Sequence, residues 1–168
     1  MTKGKGTKDK QSLTAARAVA SALAMQVAMS HFPELGLKIA IASGSARRFV
    51  VGDPQIHYLD TLAGATVSRT ATGEHLANKG ELLLDEATVK LLGTAVTISE
   101  WRVDSATSES FAVITHLAGT VPLAPLAEVP DLEPTQLQAW LHQSVYEREA
   151  SFLTEFRPCV ALFIRFAS

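Results

Sequence analysis

Gly44 and Gly52 bracket Arg47 and Arg48, and a glycine turn beside cations is a place where backbone N–H groups could cradle a phosphate. The residues between argue against it. No Gly-Lys-Ser/Thr follows Gly44, and Phe49, Val50 and Val51 are strand formers, so the glycines read as turn residues at strand ends. On a strand, Arg47 and Arg48 point to opposite faces and cannot clamp one phosphate together, although one of them could still reach an anion. The five histidines, His31, His57, His75, His116 and His142, lack zinc-ligand spacing and read as ordinary surface or core residues. Cys159 is the single cysteine, which excludes an internal disulfide and a thiolate metal site.

The elements that would position any chemistry lie between Leu37 and Leu92. Leu37, Ile39 and Ile41 alternate with Lys38 and Ala40, and Phe49 to Val51 follow the turn at Ser43, Gly44 and Ser45. The pattern predicts two strands closed as a hairpin. After the Asp53-Pro54 turn, His57 to Leu62 reads as a modest strand and Ala65 to Leu76 as a polar helix. Glu81 to Leu84 is a short apolar strand, and Asp85 is placed to cap the helix that follows, where its carboxylate accepts backbone N–H groups at the positive helix end.

Upstream, Ser12 can cap a helix of about five turns that stops at Phe32-Pro33. Leu13, Val19, Leu23, Val27 and the neighbouring alanines leave few polar positions, which predicts burial against a sheet over much of its surface, with Met25 and Met29 as core packing. Downstream, Val96 to Val103 and Phe111 to Leu117 read as an antiparallel pair across the Asp104–Ser110 turn. Residues 1–11 carry Lys and Gly with almost nothing apolar and are expected to be a disordered tail. Residues 119–133 form a Pro-containing linker, residues 134–155 a helix with Pro134 in its first turn and a stripe of Leu137, Trp140, Leu141 and Val145, and residues 156–168 a strand.

With 168 residues the chain can bury one good core, or parts of two. A net charge of −2, with the basic residues scattered, gives no basis for a nucleic-acid or anionic-membrane partner. No charge-free run of 18 apolar residues and no secretory leader pattern is visible, so a cytoplasmic protein is expected.

The order of these segments resembles the C-terminal half of a class III nucleotide (adenylate/guanylate) cyclase domain. LKIAIASG at 37–44 resembles the family's strand of alternating hydrophobic residues ending in small residues and Gly, and RRFVVGD at 47–53 its next strand. Gly64, Thr66 and Val67 match a Gly-x-Thr-Val helix start, and the run Ala77 to Thr88 matches "Ala-x-x-Gly-Glu-Leu-Leu-x-x-Glu-Ala-Thr", the most specific of these signals. The resemblance is closest to the tandem, soluble, bicarbonate-responsive adenylyl cyclase type, and FRPCVALFIRFAS at 156–168 resembles the opening of a second cyclase domain. It implies an α+β fold with a ferredoxin-like sheet and packed helices, present here as a partial domain spanning 12–118.

The departures from that family are as informative as the matches. By this alignment Thr61 takes the place of the purine-selecting residue, Ser68 that of an Asn orienting the ribose, Thr72 that of an Arg stabilising the transferring phosphate, and Arg165 that of a magnesium-binding Asp. Serine cannot make the amide's paired contacts and threonine offers a pentavalent phosphate no charge, while a cation cannot ligate magnesium. Arg69 stands about 100° round the helix from the position it would have to replace and is expected to be a solvated helix arginine. The resemblance thus implies a degenerate nucleotide or regulator site of Thr61, Leu62, Ser68, Arg69, Thr72 and Arg165, with no catalytic residue or metal on this chain. The magnesium or manganese of the parent enzyme, which converts ATP to cyclic AMP and diphosphate, would be held elsewhere. The implied partner is a second cyclase domain or another copy of the chain, with a nucleotide or small anion as ligand. A non-catalytic interaction or regulatory anion-binding module is the alternative.

Overall fold

The computed structural model describes residues 3–128 and 130–141. In chain order it contains α1 (Lys3–Met29), β1 (Ile39–Ile41), β2 (Arg47–Asp53), β3 (His57–Ala63), α2 (Ala65–Leu76), β4 (Leu82–Asp85), α3 (Glu86–Leu92), a 3-10 turn (Gly93–Ala95), β5 (Val96–Val103), β6 (Ser110–Leu117) and α4 (Pro134–Gln138). It divides into two compact units, residues 1–49 with 61–129 and residues 50–60 with 130–168.

The first unit is built on a four-stranded sheet of order β1-β4-β6-β5, in which β1 and β4 are parallel and the other pairs antiparallel. Strand side chains alternate between faces, and the two cores follow that rule. Leu82 and Leu84 of β4 join Ala112 and Ile114 of β6 under Ala15, Val19 and Ala22 of α1 and Leu92 of α3. Leu83, Phe111 and Val113 occupy the other face with Leu76 and Ala77 at the end of α2. Because both faces are covered, β4 reads as an unbroken apolar run. Each fully buried leucine there contributes about 1.5 to 3 kcal/mol of transfer free energy. Helix α2 lies close on its face because residue 73 has no side chain. A methyl group at Gly73 would sit 2.9 Å from Phe111 Cε1 and 3.1 Å from Ala40 Cβ.

The mixed α+β architecture is the one expected, with several local differences. The hairpin expected between β1 and β2 does not form: β1 pairs with β4, and β2 pairs with β3. The Ser43 N–H donates to Asp85 Oδ1 and the Ser43 carbonyl accepts from Arg69, so the turn is tied to α2 and α3 and the chain does not fold back on β1. Residues 3–11, expected in a disordered tail, continue α1, since extending a helix already held by packing costs little per residue. Burial of α1 is also narrower than expected. Ala15, Val19 and Ala22 are buried, whereas Met25 and Val27 are exposed. Its Gly6–Met29 stretch is long and apolar enough, by length and composition, to cross a membrane.

In the second unit the hairpin segment from Val50 to Asp60 exposes Val50, Val51, Ile56 and Leu59. Of the expected helix 134–155, residues 142–155 lie outside the described residues, and the described part is helical over Pro134–Gln138, with Pro134 in its first turn and a Glu133–Gln136 capping box. The Ala139 carbonyl accepts the Tyr58 N–H at 2.5 Å, and the Tyr58 and Trp140 rings lie 5.4 Å apart. Val145 and the expected strand 156–168, with Arg165, lie outside the described residues.

Candidate functional site

The polar centre of the first unit sits at the carboxyl ends of the parallel strands β1 and β4. Asp85 closes β4 and, as its position before an apolar helix suggested, caps α3: its Oδ1 accepts the Thr88 N–H at 2.8 Å. The same oxygen accepts the Thr88 hydroxyl at 2.6 Å and the Ser43 N–H at 3.2 Å. With its one proton given to Asp85, the Thr88 hydroxyl accepts from Ser43 Oγ at 2.7 Å. The carboxylate is almost wholly buried, and a buried charge needs a partner.

That partner is Arg69, whose Nε lies 3.0 Å from Asp85 Oδ2. Its Nη2 donates to the Ser43 carbonyl at 3.1 Å and to Thr66 Oγ1 at 3.4 Å. Thr66 in turn donates its hydroxyl to the Ser45 carbonyl at 2.7 Å. The expectation that Arg69 is a solvated helix arginine is therefore overturned: α2 is laid across the end of β4, and the guanidinium is drawn inward to a buried carboxylate. Gly44 belongs to the same arrangement, because a methyl group there would lie 2.4 Å from Thr66 Oγ1 and 2.9 Å from Arg69 Nη2.

Among the described residues, the others singled out in the sequence are not gathered around Arg69. Thr61 and Leu62, consecutive on β3, face opposite ways and are both exposed. Ser68 is exposed on α2, and the Thr72 hydroxyl donates to the Ser68 carbonyl at 3.2 Å, a bond one helical turn long. Ser43, Thr66 and Thr88 were not marked by the sequence as members of a site. Asp85 carried the signal of a cap and Arg69 was named by the family resemblance, but that the two form an ion pair needed the fold.

A second polar clamp holds the loop after α2. Arg102 on β5 makes two bonds to Glu81, at 2.6 and 2.8 Å, donates to the Leu76 carbonyl at 2.8 Å, and contacts Glu100. The guanidinium holds the Glu81 carboxyl down at about 2, with help from the Asn78 N–H. The carboxylates correspondingly raise Arg102 above its ordinary value.

Arg69 and Asp85 wall a shallow cleft of about 370 Å³ that also reaches Glu86, Lys90 and Glu109. A divalent metal does not fit these residues. Asp85 is already committed to Arg69 and the α3 cap, and no group of three or more His, Cys, Asp or Glu able to hold a metal occurs among the described residues. The arrangement can hold a helix and a loop in place and can present hydroxyls and one guanidinium edge to a polar ligand.

No family model matches the chain, and no curated protein matches it significantly. Among solved structures it is similar to the guanylyl cyclase Cya2, at 18% identity and a TM-score of 0.51, over 62% of this chain and 59% of that one. It is also similar to the guanylate cyclase domain of RhGC from Catenaria anguillulae, a structure in complex with GTP, at 19% identity and a TM-score of 0.50, over 62% of this chain and 60% of that one. The chain thus spans about three fifths of the length of these neighbours. At such identity the likeness shows a shared fold, the cyclase-domain fold.

Proposed function

We propose that this chain is a piece of a class III nucleotide cyclase, carries the half-site that has lost its chemistry, and does not turn over nucleotide by itself. The observation that carries the reading is the cyclase-domain fold combined with the helix α2, on which Ser68 and Thr72 stand where the family places an Asn and an Arg, while Arg69 is committed to Asp85. A transferring phosphate gathers negative charge, and neither hydroxyl can supply the cation that stabilises it. In this reading the parent enzyme is of the tandem bicarbonate-responsive type, works in the cytoplasm, and forms cyclic AMP from ATP at a site completed by a second cyclase domain.

The test is a cyclic AMP and cyclic GMP assay with magnesium and with manganese, on the pure chain and on the chain mixed with a separately expressed N-terminal cyclase half. The pure chain is expected to be silent. Turnover by the pure chain, abolished by Thr61→Ala, would overturn the reading.

A second reading, a non-catalytic module that pairs with another cyclase-type domain or another copy, is favoured by the exposed Val50, Val51, Ile56 and Leu59. Large apolar side chains left exposed on one hairpin suit a partner better than water. Strictly monomeric behaviour at high concentration, with and without a second cyclase domain, would remove it.

A further inference from the structure

The cleft of about 790 Å³ between the N-terminal half of α1, the loop after β1 and α3 has no part in the polar centre's ion pair. Its floor is apolar, made by Ala15 and Ala18 of α1, Ile41 of β1 and Leu91 of α3. Its rim carries Lys8, Lys10 and Lys90, and no carboxylate lines it. Lys90 is answered by Glu86 at 3.1 Å, but neither Lys8 nor Lys10 forms an ion pair among the described residues. The turn at Gly44 and Ser45 borders the same space, and the N–H groups of these two residues donate to nothing among the described residues.

Three physical features therefore coincide in one place. The volume falls in the range of small-molecule sites, which are mostly apolar with a few placed polar groups. The location, outside the carboxyl ends of the parallel strands β1 and β4, is where open α/β sheets receive ligands. The charge is of one sign in a recess with an apolar wall, which concentrates anions. A neutral apolar ligand would leave the lysines and the free N–H groups without a role, and a cation would be repelled.

We propose that this cleft binds a small organic anion, with its apolar body on Ala15, Ala18 and Ile41 and its anionic group toward Lys8, Lys10 and the Gly44–Ser45 turn. The site borders the polar centre at the loop of Ser43, Gly44 and Ser45 but uses none of the side chains of the proposed nucleotide half-site, and it does not depend on that reading.

A matched pair of fluorescent probes tests it on the full chain: 8-anilinonaphthalene-1-sulfonate, and N-phenyl-1-naphthylamine, which has the same aromatic body and no charge. The sulfonate is expected to bind about tenfold more tightly than the neutral probe, and to lose that advantage in the double variant Lys8→Glu, Lys10→Glu. Ala18→Trp, which fills the floor, is expected to weaken both probes, and Val50→Lys on the hairpin to weaken neither. Since Lys8 and Lys10 are exposed, the charge reversal leaves the fold in place even where Ala18→Trp does not. Equal affinity of the two probes, sulfonate affinity unchanged by the charge reversal, or loss of binding in Val50→Lys would each overturn the proposal.

Discussion

Strand β4 and strand β2 make the sharpest contrast in this protein. Both are short and rich in branched or aliphatic residues, yet every residue of Leu82–Asp85 is buried and every residue of Arg47–Asp53 is exposed. Composition goes part of the way, since β2 carries two arginines, an aspartate and a glycine where β4 is three leucines and an aspartate. The rest is company: β4 has a strand on each side and helices on both faces, whereas among the described residues β2 pairs with β3 in a two-stranded sheet. A strand covered on both faces carries fold stability, and a ribbon of two strands is marginal in water unless something covers it. The first region is a core, and the second is an exposed ribbon.

The contrast breaks most visibly if the core strand is cut. Leu84→Ala is expected to cost about 3 to 4 kcal/mol in urea unfolding, while Val50→Ala on the hairpin changes stability by less than about 0.5 kcal/mol. Next comes the ion pair at the end of β4. Asp85→Ala removes a helix cap and leaves the largely buried Arg69 without its carboxylate, for an expected loss of about 3 kcal/mol; Asp85→Asn, which keeps an acceptor for the Thr88 N–H, should lose clearly less. A comparable loss in the two variants would show that the ion pair outweighs the cap.

Smaller again is Gly73→Ala, which presses a methyl group against Phe111 and Ala40 and is expected to cost about 1 to 2 kcal/mol despite the better helix propensity of alanine. Acid titration tests the Arg102 clamp. The Glu81 carboxyl is lowered from 4.5 to about 2, so its contribution is fully present above pH 4.5 and is lost as the pH falls from there toward 2. Thermal melts should show that slope in the parent chain and a flatter one in Glu81→Gln. The smallest effect on folding is expected from Val50→Lys with Leu59→Lys, whose melts should match the parent within about 0.5 kcal/mol. The same double variant should sediment as a smaller species at high concentration if the hairpin is a contact surface.

Much of the local structure was legible. The polar helix at Ala65–Leu76, the cap at Asp85 and the closing pair β5 and β6 follow from periodicity, one carboxylate and a turn, all read within about ten residues. The β1–β2 hairpin was misread for the same local reason. Small residues at Ser43, Gly44 and Ser45 suit a tight turn, but the true neighbour of β1 is more than forty positions away, across the β2–β3 hairpin and α2. The polar centre was only partly visible. Ser68, Arg69, Thr72 and Thr61 could be marked by family pattern, but Ser43, Thr66 and Thr88 lie on three segments with no shared spacing, and Arg69 was expected to face solvent.

By itself the sequence determined where strands and helices alternate, that residues 81–84 form a short apolar strand, and that Asp85 would cap the helix after it. These are properties of side-chain period and chemistry, which the chain carries before it folds. Only the tertiary structure decided that β1 lies parallel to β4, that Arg69 turns inward to Asp85, and that the hairpin and the cleft above β1 are left open. Such outcomes depend on non-local packing, in which a buried charge or a sheet edge is matched with whatever distant segment the topology brings to it.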